Sequence, residues 1–161
     1  MDNITKTFIS DEQSKFLSEQ RGLLFEYYAQ VSNPRLDNRI LGDLQVWVYG
    51  NDRKDFTPHC HVMKTDKSLE WEVSIIDWSI INVKRGPVPG KLDDDFRIWL
   101  DSKSSRDKEK TNKEMLFIMW DAVNPNNDLL SFTESHSIEI KDTELCSYLK
   151  ELKNEIEKSN G

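Results

Sequence analysis

Through the middle of this chain apolar and polar residues alternate with a period of two, and on either side they recur with a helical period. Leu44-Gln45-Val46-Trp47-Val48-Tyr49 places an aliphatic residue at every second position, the pattern of a half-buried strand. Gly50-Asn51-Asp52-Arg53 supplies turn chemistry after it. A second strand is predicted to start near Pro58 and to carry His59, Cys60, His61, Val62 and Met63. A third, over 69–76, sets Trp71, Val73 and Ile75 on one face and Glu70, Glu72 and Ser74 on the other. A fourth is expected over 79–83. Short links between consecutive strands imply an antiparallel meander.

Helical patterns flank these strands. Ser10-Asp11-Glu12-Gln13 is a capping-box signature, and Phe16, Leu17, Leu24, Tyr27, Tyr28 and Val31 follow at helical spacing, predicting a helix over 11–31. Asn33-Pro34 ends it, because the residue before proline is pushed out of the α region. Beyond the strands, the proline- and glycine-rich run from Lys84 to Lys91 reads as a crossover. Asp93-Asp94-Asp95 suits a helix N-terminus, and Phe96, Trp99 and Leu100 form that helix's apolar side. Residues 101–113 are almost wholly polar, which predicts a solvated loop or a charged helical extension. Thr111-Asn112-Lys113-Glu114 is a second capping box, opening a helix that buries Met115, Ile118 and Met119, with Trp120 near its end. Asn124-Pro125-Asn126-Asn127 is a turn. Weak alternation over 135–141 predicts one more strand, with Ile138 and Ile140 inward. Asp142 or Thr143 then caps a final helix with a narrow stripe of Leu145, Leu149, Leu152 and Ile156. That stripe is expected to lie on the chain's own sheet or first helix, or else on a partner or second subunit.

These elements make an α+β fold, a single domain with a mainly antiparallel sheet and helices packed on it. Within it we distinguish an N-terminal helical extension (1–41), a core (42–122) and a C-terminal strand with an amphipathic helix (123–161). At 161 residues the chain is long enough for a real core, and five Trp, seven Phe and four Tyr make that core aromatic. The formal net charge of −7 repels phosphate backbones, so nucleic acid is an unexpected partner. No basic start precedes an apolar run at the N-terminus, and no apolar run reaches membrane-spanning length. Cys60 and Cys146 lie in unrelated contexts and read as reduced thiols, Cys146 buried beside the last helix's stripe. A cytoplasmic protein is expected.

The candidate chemistry is concentrated in Asp55-Phe56-Thr57-Pro58-His59-Cys60-His61-Val62, which holds two of the three histidines. In a strand, residues two apart share a face, so His59 and His61 stand side by side while Cys60 and Val62 face away. Two imidazoles on one face can chelate a divalent metal, given a third or fourth ligand. Asp55, Asp66, Glu70 and His136 are available, none at a diagnostic spacing. The alternative is acid–base work by the pair, with Asp55 or Glu72 as the orienting carboxylate, although no nucleophile accompanies them. The bland reading gives one histidine a backbone or carboxylate partner and leaves the other at the surface. Lys84-Arg85-Gly86-Pro87 could hold a phosphate but lacks the P-loop and dinucleotide glycine patterns.

The middle of the chain resembles a bacterial family known as domain of unknown function 4160. The resemblance runs through Trp47-Val48-Tyr49, Asp55, Pro58-His59-Cys60-His61-Val62, Trp71-Glu72-Val73 and Gly90-Lys91-Leu92. It continues to Trp99 and the Glu114-Met115-Leu116…Trp120 stretch, covering residues 42–122. Thr57 stands where that family usually has proline, and Cys60 where it usually has an aromatic residue. The resemblance implies a compact α+β fold and association with toxin–antitoxin-like gene pairs, with no established reaction. Two functions are therefore expected from different classes. The first is a non-enzymatic protein-interaction or toxin–antitoxin-like regulatory module, without a cofactor, acting through a protein partner or a homo-oligomer. The alternative is a metal-dependent hydrolase or nuclease centred on His59 and His61.

Overall fold

The computed structural model describes residues 35–36, 44–50, 56–105 and 107–160. The helix predicted over 11–31 lies outside the described residues, as does Asp55. Among the described residues five strands form one sheet: β1 (Arg35–Leu36), β2 (Leu44–Trp47), β3 (His59–Lys64), β4 (Glu70–Ser74) and β5 (Ile80–Arg85). They lie in chain order and every neighbouring pair is antiparallel, which makes the sheet a meander. Four helices follow: α1 (Lys91–Leu100), α2 (Asn112–Val123), α3 (Leu129–Ser135) and α4 (Thr143–Asn160), with a 3-10 turn at Pro125–Asn127. The architecture is the expected α+β domain. No helix among the described residues is long and apolar enough to cross a membrane.

Register explains why the two faces of the sheet differ. Val46 pairs with Val62, Val62 with Trp71, and Cys60 with Val73. With Leu44, Val48 and Ile75 they give a fully buried apolar face that joins Phe96, Trp99, Met115, Phe117 and Trp120 in one core. Each large apolar side chain withdrawn from water in this way contributes roughly 1.5–3 kcal/mol. The opposite face carries the paired residues in between, His61 opposite Glu72 and Met63 opposite Glu70.

Both central hairpins turn on the same device. Asp66 Oδ1 accepts hydrogen bonds from the backbone N–H (2.9 Å) and hydroxyl (2.6 Å) of Ser68. Asp77 Oδ1 does the same for Ser79, at 3.0 and 2.7 Å. The residue between each pair, Lys67 or Trp78, adopts a positive φ, 64° and 63°. This is costly for a bulky residue, and at Trp78 the surroundings hold it. Its indole Nε1 donates to Asp142 Oδ2 at 2.8 Å, and its ring lies 5.9 Å from that of Phe117.

Asp142 is a junction as well as a cap. Its Oδ1 accepts from the backbone N–H of Glu144 and Leu145 at the start of α4, while Oδ2 receives Trp78 and the Lys113 ammonium, the latter at 2.8 Å. Asp142→Ala is expected to cost about 1–3 kcal/mol, since it removes a helix cap and strands an indole N–H and an ammonium. Urea unfolding checks this; a loss of only a few tenths would show that water replaces the carboxylate at no cost.

Four expectations are corrected by the structure. The strand predicted over 135–141 does not form. Asp128 caps α3 by accepting from the Ser131 N–H, and that helix runs through Ser135. Ile138 and Ile140 rest against the core, so period-two burial arises there without a sheet ladder. Residues 101–113 are not simply solvated, because Ser104 is buried, its N–H donates to Lys110 O at 2.8 Å, and Lys103 bridges Thr111. Cys146 is exposed rather than buried, lying one position off the apolar stripe. The fourth strand extends past Val83 to Arg85, which puts Lys84 and Arg85 on the sheet instead of in the crossover.

Candidate metal centre

β3 delivers His59 and His61 to the sheet face away from the core, with their ring centroids 5.0 Å apart. Both are buried, whereas one of them was expected at the surface under the bland reading. Each ring has its Nδ1 committed. His59 Nδ1–H donates to the Thr57 carbonyl at 2.7 Å, and His61 Nδ1–H donates to Glu70 Oε2 at 3.1 Å. A proton on Nδ1 leaves the lone pair of a neutral imidazole on Nε2. Metal-binding histidines are usually fixed in this way, the far ring N–H held by a carboxylate or a carbonyl.

The third group is Glu72, directly opposite His61 in the β3–β4 register and half-buried. One ligand atom from each of His59, His61 and Glu72 lies within 4.8 Å of the others. Two imidazoles and a carboxylate form a set that holds zinc or iron and leaves coordination positions open for water or substrate. Of the other ligands considered from sequence, Asp66 and His136 lie elsewhere, and Glu70 stands behind His61. Asp66 serves the β3–β4 turn, and His136 stacks on Phe132 at the end of α3. Cys60 points into the core, where burial pushes its thiol pKa far up. Glu70 backs His61 and binds Arg85, with the Lys84 ammonium 3.8 Å away.

Charge in this cluster is partitioned by burial and by the two β5 cations. Burial pushes the Glu70 carboxyl up, but hydrogen bonds from Arg85 and His61 and the Lys84 charge outweigh it, so Glu70 titrates below its ordinary range. Burial and the neighbouring His59 lower His61, against the pull of Glu70 and Glu72, so His61 is a neutral imidazole at pH 7. Burial and the Glu70 charge raise the Tyr49 phenol, which keeps its proton while its ring lies 4.2 Å from that of His61. A neutral histidine and an ionised backing carboxylate are the protonation states that ligation requires.

These residues open on a cleft of about 460 Å³ lined by Tyr49, Phe56, Thr57, His59, His61, Glu72, Ile81 and Lys84. That volume suits a small molecule. The sequence pointed to the histidine pair and weighed Glu70 and Glu72. It missed Tyr49, Phe56 and Ile81, and it placed Lys84 in a loop. Pairing Glu72 with His61 by counting back from the hairpin turn was the signal available, and it depends on the turn's length. Comparison with known protein families, with curated proteins and with solved structures finds no match to this chain.

Proposed function

We propose that the cleft is a divalent-metal site of hydrolytic type, acting on a small molecule. The observation that carries this reading is the prearranged ligand set: His59 and His61 with both Nδ1–H groups engaged, and Glu72 across the strand pair. A bound metal would supply a water acidified to near-neutral pKa and a Lewis acid for the scissile group. Around it, Glu70 orients His61, the Thr57 carbonyl orients His59, and the Tyr49 hydroxyl remains a hydrogen-bond donor. The size of the cleft and the net charge of −7 favour a small substrate over a nucleic-acid duplex. The interaction-module expectation rests on the missing nucleophile and cofactor motif, the acidic charge and the family resemblance. Separately, the stripe of the final helix, which could have met a partner, lies against the chain's own core.

Elemental analysis of the purified chain, after loading with zinc or manganese, tests the proposal. One metal per chain is expected between about pH 6 and pH 8, with affinity reduced at least about a hundredfold in Glu72→Gln and abolished in the His59→Ala, His61→Ala double variant. Circular dichroism of each variant shows whether the fold survives. Wild-type protein that holds no stoichiometric metal across that range would overturn the proposal, whatever the variants do.

A further inference from the structure

The Lys84 side chain is the feature of the cleft that metal binding leaves unexplained. Its ammonium lies 3.7 Å from Glu72 Oε1 and 3.8 Å from Glu70 Oε2, so it sits between the candidate ligand carboxylate and the carboxylate that backs His61. Glu70 has a second cation in Arg85 and a hydrogen bond from His61, so it does not depend on Lys84. Among the described residues Lys84 is the cation beside Glu72, and its side chain is nearly half exposed on the cleft wall. A metal taking Glu72 would replace the lysine as counter-ion to that carboxylate. The displaced ammonium would then remain in the cleft, within a side chain's swing of the metal, with its charge no longer matched by Glu72.

The cleft wall has a second chemical character. Phe56 and Ile81 are 45% and 43% exposed and both line it, although each is large and apolar. Exposed apolar side chains that converge on a polar pocket mark where a ligand's apolar part is covered.

We propose that this cleft takes a substrate joining an anionic oxygen group to an apolar moiety, with Lys84 holding the anion and Phe56 and Ile81 flanking the apolar part. The proposal rests on the metal reading above and adds a coupling to it. Because Lys84 serves either Glu72 or the anion, metal and anion assist each other. The metal frees the lysine from Glu72, leaving it beside a Glu70 that Arg85 and His61 already satisfy, and the anion draws the lysine away from Glu72. By linkage each raises the affinity of the other by the same factor.

Phenylacetate is a suitable probe, since it pairs one carboxylate with one ring, and cobalt(II) is a suitable metal because its visible spectrum reports ligation. Calorimetric titration of the full chain should find phenylacetate binding about tenfold or more tighter to cobalt-loaded than to metal-free protein, a usual size for such coupling. Acetate and benzyl alcohol, each carrying half of the recognition, should bind about tenfold or more weaker than phenylacetate. Lys84→Met keeps the aliphatic stem and removes the charge. It should retain stoichiometric cobalt, at equal or higher affinity, and lose at least about tenfold in phenylacetate affinity. Cobalt bound at full stoichiometry with phenylacetate affinity unchanged in Lys84→Met would overturn this inference and leave the metal centre standing. A wild-type chain that takes up no cobalt would overturn both.

Discussion

Leu149→Asp combined with Leu152→Asp is expected to unfold the protein rather than to release a folded monomer from an assembly. Leu145, Leu149 and Leu152 are buried, and Ile156 is packed against the same core. α4 lies along α2, which is itself almost wholly buried from Met115 to Val123. Removing two buried leucine side chains forfeits about 2–5 kcal/mol each before charge is considered. Placing ionised carboxylates in that apolar contact adds a desolvation penalty. A domain of this size has only about 5–15 kcal/mol to lose. Circular dichroism beside size-exclusion chromatography reads the result. A variant that keeps its helical signal and shifts to smaller size would mean that a second chain, and not α2, covers the stripe.

The contribution of Asp121 to stability should fall as pH rises from about 4 to about 8. Its side chain is buried in α2, with Oδ1 accepting from the Leu129 N–H at 2.8 Å and Oδ2 accepting from the Tyr148 hydroxyl at 2.6 Å. Burial, and then the nearby Asp128 charge, push its pKa up to about 8, against the hydrogen bonds that favour the ionised form. Burial and Asp121 itself keep the Tyr148 phenol protonated well past its usual range. A carboxyl whose folded pKa exceeds its unfolded value binds a proton in the native state that the unfolded chain has released. Its contribution is therefore complete below pH 4 and is lost progressively up to pH 8. A carboxyl held so far above its ordinary range makes this effect on the order of several kcal/mol. Asp121→Asn keeps an acceptor for Leu129 and offers an amide to the Tyr148 oxygen, without a titrating proton. The variant should match the wild type near pH 4 to 5 and exceed it in denaturant midpoint at pH 8. Parallel stability curves for the two proteins across that interval would show that Asp121 is ionised in the folded state.

Several features of this protein were legible in the residues themselves. The meander followed from the alternation in β2 and β4 and the short links from β3 through β5, because a two-residue period decides which side chains can share a buried face. The capping box at Thr111 marked the start of α2, since a hydroxyl and an N–H three residues apart meet through local geometry alone. The placement of His59 and His61 on one face, with Cys60 turned to the core, is another local consequence of strand geometry.

Where the deciding contact was distant in the chain, the pattern misled or was silent. Ile138 and Ile140 alternate as a strand would, but a segment laid against a core produces the same alternation without pairing. Trp78 holds a left-handed turn position through an aspartate 64 residues further on. The metal centre belongs to the same class. His61 meets Glu72 and Glu70 because one hairpin fixes the register of β3 against β4, and Lys84 and Arg85 arrive because β5 runs two residues longer than its apolar pattern. The sequence by itself therefore determined how side chains alternate between the two faces of each strand and which two histidines are neighbours, since both depend on the geometry of a single strand. Only the tertiary structure decided which carboxylates and cations surround those histidines, because cross-strand register and strand length are set by packing over the whole sheet.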